Sequence, residues 1–429
     1  MNDTDSPLTQ SDILARRLLF RWIPKWHGAF CDPATGLFHE RLGHAFRPVP
    51  MPHKRLLTQC RQLAMYADAA RQRPDLKFTP KLYVSYRALI DHFFIPETGG
   101  WRFSLNPQGQ PLDDTYDLYA LAFVIFALAH YGKAYPDSDA RDYALKTLGF
   151  IDKYFRIPGN LSFAESLSTD LKTIPQLRRH ESHMHLLEAC LFALQTWGDI
   201  SFKLLADEIV TLFHQKFYNR TQNILSEYFD DELNPAPKEG HIVVEPGHYG
   251  EWIWLLKKYS YLTGTQLPDQ DSVCEKMLVW ANTHGWDSEF GGIYDELNDR
   301  HEVIADTKRL WPFGEILKAN ALLMDSGLSR DDLKANMSRM MRVFVQKYMD
   351  ARGFWTEWLN RDLSPATDYM PGTTPYHVYF SIMETRETLY ARGKPKSLLT
   401  PMESTLYKIR RRLSDRVRQI KAYIRKQSV

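Results

Sequence analysis

The run LYALAFVIFALA, residues 118–129, is the longest apolar stretch in the chain and is followed at once by His130. Twelve residues are too few to cross a bilayer, which takes about 20 in a helix. A run this apolar on every face instead predicts a helix surrounded by protein. It lies within a longer helical segment, Asp114 to Tyr131. Working outward, apolar residues recur three and four apart in eleven more segments. These are Ser11–Trp22, Lys54–Arg71, Lys81–Phe94, Ser138–Tyr154, Met184–Trp197, Ser201–Phe217, Gly247–Leu262, Asp271–Thr283, Lys308–Met324, Ser329–Tyr348 and Pro375–Ala391. Gly, Pro, Asn and Asp clusters separate them, for instance Pro96-Glu-Thr-Gly-Gly and Asp287-Ser-Glu-Phe-Gly-Gly. Ile224–Phe229 and Gly292–Glu296 read as short loop hairpins.

Alternate helices begin near residues 54, 114, 184, 247, 308 and 375. Six helical hairpins at this near-constant interval predict an all-α fold, an (α/α)6 barrel or toroid, whose inner helices carry the more apolar sequences. Such a ring leaves a cavity at one end. The expected division is a barrel over residues 1–395 and a tail over 396–429.

Composition narrows the class. Hydrophobic residues are 44% and charged residues 25%, as in globular proteins generally. Lys plus Arg number 54 and Asp plus Glu 52, a balance that argues against a nucleic-acid binder. Cys31, Cys60, Cys190 and Cys274 are far apart and form no CxxC pair, so neither a disulfide framework nor a zinc site is expected. The acidic opening MNDTDSPLTQ lacks the pattern of a signal peptide, and a cytoplasmic location is expected. No GxxxxGK[ST], GxGxxG or GxSxG motif is present, and no cofactor is expected.

Unusual polar residues fall near the starts of the alternate helices: Arg61, Asp117 with Tyr119, His185 with Glu188, His248 with Glu251, Lys308 with Glu315, and His377. In a ring these starts share one end, so residues hundreds apart in sequence would meet. In Glu245-Pro-Gly-His-Tyr-Gly-Glu-Trp, His248 and Glu251 are three apart on one helix face, a spacing that can make a tuned general base. His180-Glu-Ser-His-Met-His places three histidines in six residues. Met184 stands where HExxH needs its second histidine, so a hydrogen-bonding role for His185 is expected rather than metal ligation. In Lys308-Arg-Leu-Trp-Pro-Phe-Gly-Glu, Trp311 reads either as a flat wall of a binding site or as a core residue. His377 follows a proline suited to a helix start.

Together Lys54-Arg-Leu-Leu-Thr-Gln-Cys-Arg, Asp117-Leu-Tyr-Ala, Met184-His-Leu-Leu-Glu-Ala, Pro246-Gly-His-Tyr-Gly-Glu-Trp, Lys308-Arg-Leu-Trp-Pro-Phe-Gly-Glu and Pro375-Tyr-His resemble the N-acylglucosamine 2-epimerase superfamily. That group includes cellobiose 2-epimerases and mannose isomerases. The resemblance spans about residues 11–392 and implies an (α/α)6 barrel. It implies His248 and His377 as an acid/base pair, with Glu251 assisting His248. Arg61 and His185 would hold substrate oxygens, and Trp311 would face the sugar. Tyr119, Lys308 and Glu315 complete the expected substrate-binding set. Two departures stand out: Glu181-Ser182 replaces an Asn-Pro pair, and Leu310 precedes Trp311 where a second Trp is frequent. The implied chemistry is metal-free proton transfer through an enediolate, with mannose–fructose isomerisation preferred over 2-epimerisation. An inverting glycoside hydrolase using Glu251 and Glu315, or a silent sugar-binding protein, are the rival classes.

Past residue 395 the resemblance ends. Leu406, Ile409, Leu413, Val417, Ile420 and Ile424 form an apolar stripe, and from Lys408 on there are nine basic residues against Asp415 alone. This predicts a basic amphipathic helix. Residues 406–426 would meet an anionic membrane surface peripherally or mediate self-association.

Overall fold

A computed structural model describes residues 6–74 and 78–391, so the expected tail helix lies outside the described residues. The fold is helix-rich. Its helices are α1 (Pro7–Arg17), α2 (Ile23–Phe30), α3 (Leu56–Gln72), α4 (Thr79–Phe93), α5 (Leu118–Ala134), α6 (Ala140–Phe150) and α7 (His180–Trp197). They continue with α8 (Ile200–Leu212), α9 (Pro246–Thr263), α10 (Gln270–Thr283), α11 (Leu310–Leu322), α12 (Arg330–Val343) and α13 (Pro375–Tyr390). A π-helical turn, Leu18–Trp22, joins α1 to α2. Among the described residues no helix is long and apolar enough to cross a membrane. The four cysteines are free.

Helices α3, α5, α7, α9, α11 and α13 touch in that order, and α13 touches α3, so the cycle closes. Each also packs on one outer element: α4, α6, α8, α10, α12, and α1 against α13. The cyclic helices are buried on nearly every face, as the apolar run predicts; in α5 every residue from Ala120 to Gly132 is buried. The amphipathic α12 turns only Leu333, Met337, Met340 and Met341 inward. Inner helices start at 56, 118, 180, 246, 310 and 375, a more even spacing than the sequence suggested.

The connections repeat as well. After each outer helix the chain makes one tight antiparallel hairpin: Cys31 with Phe38, Phe94 with Trp101, Arg156 with Phe163, Tyr218 with Leu225, Trp286 with Ile293, and Met349 with Trp355. The strand before each inner helix then pairs with the next repeat. Lys54-Arg55 meets Leu105-Ser104, Tyr116-Asp117 meets Leu167-Ser166, and Arg178-Arg179 meets Phe229-Tyr228. Val243-Val244 meets Asn298-Leu297, Lys308-Arg309 meets Leu359-Trp358, and Tyr369–Pro371 returns to Gly43–Arg41. This second closed ring, of short ladders, sits at the N-terminal ends of the inner helices. Ile224–Phe229 is thus only half a hairpin: its second half, Tyr228-Phe229, pairs with the neighbouring repeat.

A carboxylate recurs two residues past the bulky partner of each hairpin: Glu40, Glu165, Glu227, Asp295 and Glu357, with Phe103 in the remaining repeat. An inner helix begins with unpaired N–H groups and a positive dipole end, which a carboxylate satisfies. Glu40 accepts from Arg55 N at 2.7 Å and Thr58 Oγ1 at 2.8 Å. Glu165 accepts from Arg179 N at 2.7 Å and Ser182 Oγ at 2.6 Å. Asp295 accepts from Arg309 N and Nε, both at 2.9 Å. Each arginine lies directly before its helix, so the acid clamps backbone and guanidinium together.

Replacing the fully buried Glu165 with alanine strands the Arg179 and Ser182 donors. We expect Glu165→Ala to cost about 2–4 kcal/mol in denaturant unfolding. A loss under about 1 kcal/mol would mean that the clamp does not stabilise the ring.

Candidate active site

The ladder ring frames one pole, where the first turns of the inner helices bring side chains together. In the fourth repeat the clamp is altered. Glu227 still accepts from the residue before the helix, Glu245 N at 3.2 Å. The position three further on, taken by Thr58 and Ser182 in other repeats, is His248, whose Nδ1 lies 2.9 Å from Glu227 Oε1. The other Glu227 oxygen lies 3.0 Å from His180 Nε2. Trp252 Nε1 donates to His180 Nδ1 at 3.1 Å, which fixes the proton of that ring on Nε2, facing Glu227. Burial works against the Glu227 charge, but the two imidazoles outweigh it and hold the carboxyl well below the usual carboxylate range. Burial would likewise lower the proton affinity of His248; Glu227 reverses this and raises it to about 10. The expected partner, Glu251, does not touch His248. Its Oε1 lies 3.6 Å from His185 Nδ1, on the adjacent helix.

His377 lies in the first turn of α13 at the same pole. Its Nδ1 sits 3.2 Å from Glu315 Oε1. Here burial prevails over the Glu315 hydrogen bond, and Arg61 adds to it, lowering the proton affinity to about 4. Both rings lie against Trp311, whose centroid is 4.8 Å from that of His248 and 5.8 Å from that of His377. The indole is partly exposed. Its seat depends on Gly247, where a Cβ would come within 2.5 Å of the Trp311 ring. The two imidazoles therefore share a flat apolar neighbour while their surroundings push proton affinity in opposite directions, favouring the protonated ring at His248 and the neutral ring at His377. Neither Nε2 has a hydrogen-bond partner among the described residues.

Arg61 Nη2 donates to Tyr119 OH at 2.5 Å, and the guanidinium lies over the Phe123 ring at 4.3 Å. His185 packs edge-on against Tyr119, 4.9 Å between centroids, with Nδ1 3.0 Å from Glu188 Oε2. Tyr376 OH donates to Glu188 at 2.6 Å. Burial, then the neighbouring Glu315 and Glu188 carboxylates, push Glu251 well above the usual range, and its Oε2 has no hydrogen bond among the described residues.

The pole thus brings together His248, His377, Arg61, Tyr119, His185, Trp311, Glu251 and Glu315. Lys308 is not among them. Its Nζ is buried against Asp287 Oδ2 at 2.8 Å and the Arg361 carbonyl at 2.6 Å. Sequence reasoning missed Glu227 and the role of His180. Two clusters place ligand-type atoms within 4.8 Å: His180–Glu227–His248 and His185–Glu188–Glu251. In the first, Glu227 already accepts from Glu245 N and lies against both imidazoles, and Trp252 occupies His180 Nδ1; in the second, Glu188 meets His185 and Tyr376. His183, the remaining histidine of the run, is structural: Nδ1 bonds the Arg179 carbonyl at 2.9 Å and Nε2 accepts from Phe163 N at 3.1 Å.

The sequence profile of the N-acylglucosamine 2-epimerase (GlcNAc 2-epimerase) family matches residues 36–381. A mannose-6-phosphate isomerase of Rhizobium meliloti is 27% identical over 386 residues, 86% of this chain and 94% of that one. A cellobiose 2-epimerase of Bacteroides fragilis is 26% identical over 295 residues, 66% of this chain and 74% of that one. In structure, a cellobiose 2-epimerase from Spirochaeta thermophila superposes with a TM-score of 0.81 at 21% identity, over 92% of this chain and all of that one.

Because the His248 proton affinity stands near 10 rather than 6.5, its pair with Glu227 adds stability below pH 6.5 that is lost as the pH climbs through 10. Nitrogen-15 NMR of labelled histidine should find the His248 ring doubly protonated at about pH 8, and Glu227→Gln should bring its midpoint below about 7. A midpoint near 6.5 in the unaltered protein would deny Glu227 this control.

Proposed function

The chain belongs to the N-acylglucosamine 2-epimerase family, an enzyme family of epimerases and isomerases, and we propose that it is an aldose–ketose isomerase acting on an unphosphorylated sugar such as mannose. We read the closed cycle of six inner helices with its outer partners as an (α/α)6 barrel and its ladder-framed pole as the sugar site. The observation that carries the reading is the pair of imidazoles packed on Trp311 with proton affinities pushed in opposite directions.

In this reading His377, its Nδ1–H held by Glu315, offers the Nε2 lone pair to the proton on C2 of the open-chain sugar. His248, doubly protonated, offers Nε2–H to the carbonyl oxygen as the enediolate forms. Groups of one type with separated proton affinities suit acid and base roles at one pH. Arg61 stabilises the developing oxyanion, and Trp311 supports a sugar face. Returning the proton to C1, as the C2 hydroxyl gives its own proton back to His248, completes isomerisation.

An unphosphorylated substrate fits the electrostatics. The arginines that open inner helices at this pole already face carboxylates: Arg55 on Glu40, Arg179 on Glu165, and Arg309 on Glu245 and Asp295. A phosphate would have to displace them or take Arg61, which the reading assigns to the oxyanion.

The second reading, 2-epimerisation, is favoured by the cellobiose 2-epimerase relative and uses the same pair. His248 would then deliver the proton to the opposite face of C2.

Incubating the protein in heavy water with mannose, glucose or cellobiose and following products by NMR tests both. Fructose from mannose, with deuterium at C1, is the expected result. Deuterium at C2 with retained aldose would establish epimerisation instead. His248→Asn and His377→Asn should each lower kcat by about 10²–10⁴-fold. Full turnover in either variant would remove that histidine from the mechanism.

A further inference from the structure

From His377 a line of charged side chains runs away from the sugar face into the ring. Glu315, its partner, turns the other oxygen toward Lys318, with Oε2 and Nζ 2.6 Å apart. Lys318 Nζ also lies 3.2 Å from Glu384 Oε2 and 4.7 Å from the centre of the Trp254 ring. Glu384 lines a cavity of about 430 Å³ formed with His130, Lys133 and Lys258 at the opposite end of the inner helices. Lys318 is one turn along α11 from Glu315, and both are buried.

We propose that Lys318 is a positioning residue for His377: it keeps Glu315 ionised, and ionised Glu315 keeps the His377 proton on Nδ1. The proposal rests on the reading of His377 as the base. A carboxylate can only accept a hydrogen bond, so an ionised Glu315 requires Nδ1–H and leaves the lone pair on Nε2, toward substrate. A protonated Glu315 donates instead. The ring then accepts at Nδ1 and carries its proton on Nε2, where it can no longer take one from carbon.

The setting makes ionisation costly without Lys318. Glu188 on α7 and Glu251 on α9 are two further buried carboxylates whose charges act on this same cluster. Further charged or titratable neighbours are Arg61 on α3, His185 on α7, His248 and Lys258 on α9, and Tyr376, His377 and Glu384 on α13. Burial pushes the Glu315 carboxyl up, and Lys318, ahead of His377, brings it down to about 2. Lys318 has no contact with Trp311, His248 or Arg61 among the described residues, so it acts through Glu315.

The test compares Lys318→Met, Lys318→Gln and Lys318→Arg in the full-length protein, with folding verified by circular dichroism. At pH 7 the two neutral variants should lose about 10²-fold or more in kcat, with KM changed less than about threefold. The loss should shrink as the pH is raised toward 9 and Glu315 re-ionises. Arginine should restore most of the rate. Nitrogen-15 shifts of the His377 ring give a readout independent of turnover: Nδ1–H in the unaltered protein, Nε2–H in the neutral variants. An unchanged tautomer in a folded neutral variant, or a loss that does not vary with pH, would overturn the proposal. A switched tautomer with undiminished kcat would uphold the control by Lys318 and refute His377 as the base. Should Lys318→Met not fold, the glutamine variant, which keeps a polar group in the space, decides.

Discussion

Six helix N-termini converging on one pole concentrate positive dipole ends and unpaired N–H groups in a small volume. The buried carboxylate that follows five of the six hairpins is what makes that convergence tolerable. Where the acid meets an arginine and a hydroxyl, as at Glu40 and Glu165, its whole capacity goes into holding the helix start. At Glu227 no arginine is present, because Glu245 stands in its place, and the acid is left facing two imidazoles. A device that serves the ring in most repeats thus supplies the charge that sets His248 in one.

The same comparison explains why two histidines of one site differ so far in proton affinity. Glu227 meets His248 and His180 and no cation of fixed charge, so its full negative charge acts on imidazoles. Glu315 shares its charge with the Lys318 ammonium, and His377 sees a carboxylate already half neutralised, with the Arg61 guanidinium near as well. Burial is similar for both rings. The difference lies in what stands behind each carboxylate.

The helices and their rhythm were legible because burial of one stripe imposes a 3.6-residue period that survives divergence. That His248, His377, Arg61 and Trp311 gather at one pole was legible for the same reason, since they sit near the starts of helices that could be counted. Glu251 was paired with the wrong histidine. Spacing along one helix places it near His248, but the packing of α7 against α9 gives it to His185. Lys308 was misplaced because the two-residue strand before α11 alternates faces: Arg309 turns toward Glu245 and Asp295, Lys308 toward the hairpin at Asp287. Glu227 lay in a loop with no periodic signal around it. Its trace was the recurrence of an acid two residues after Phe38, Phe163, Leu225, Ile293 and Trp355, visible only once the hairpins are superimposed.

The ladder ring closes only when Tyr369–Pro371 pairs with Gly43–Arg41, and the helix cycle only when α13 settles between α11 and α3. Those pairings join segments more than 300 residues apart, the costliest contacts to form from an open chain. His377 rides on that last helix. A growing chain therefore holds Arg61, His248 and Trp311 before His377 has been made, and under the proposed reading the proton-transfer pair is complete only with closure. Under that reading, activity would report that folding has gone to completion.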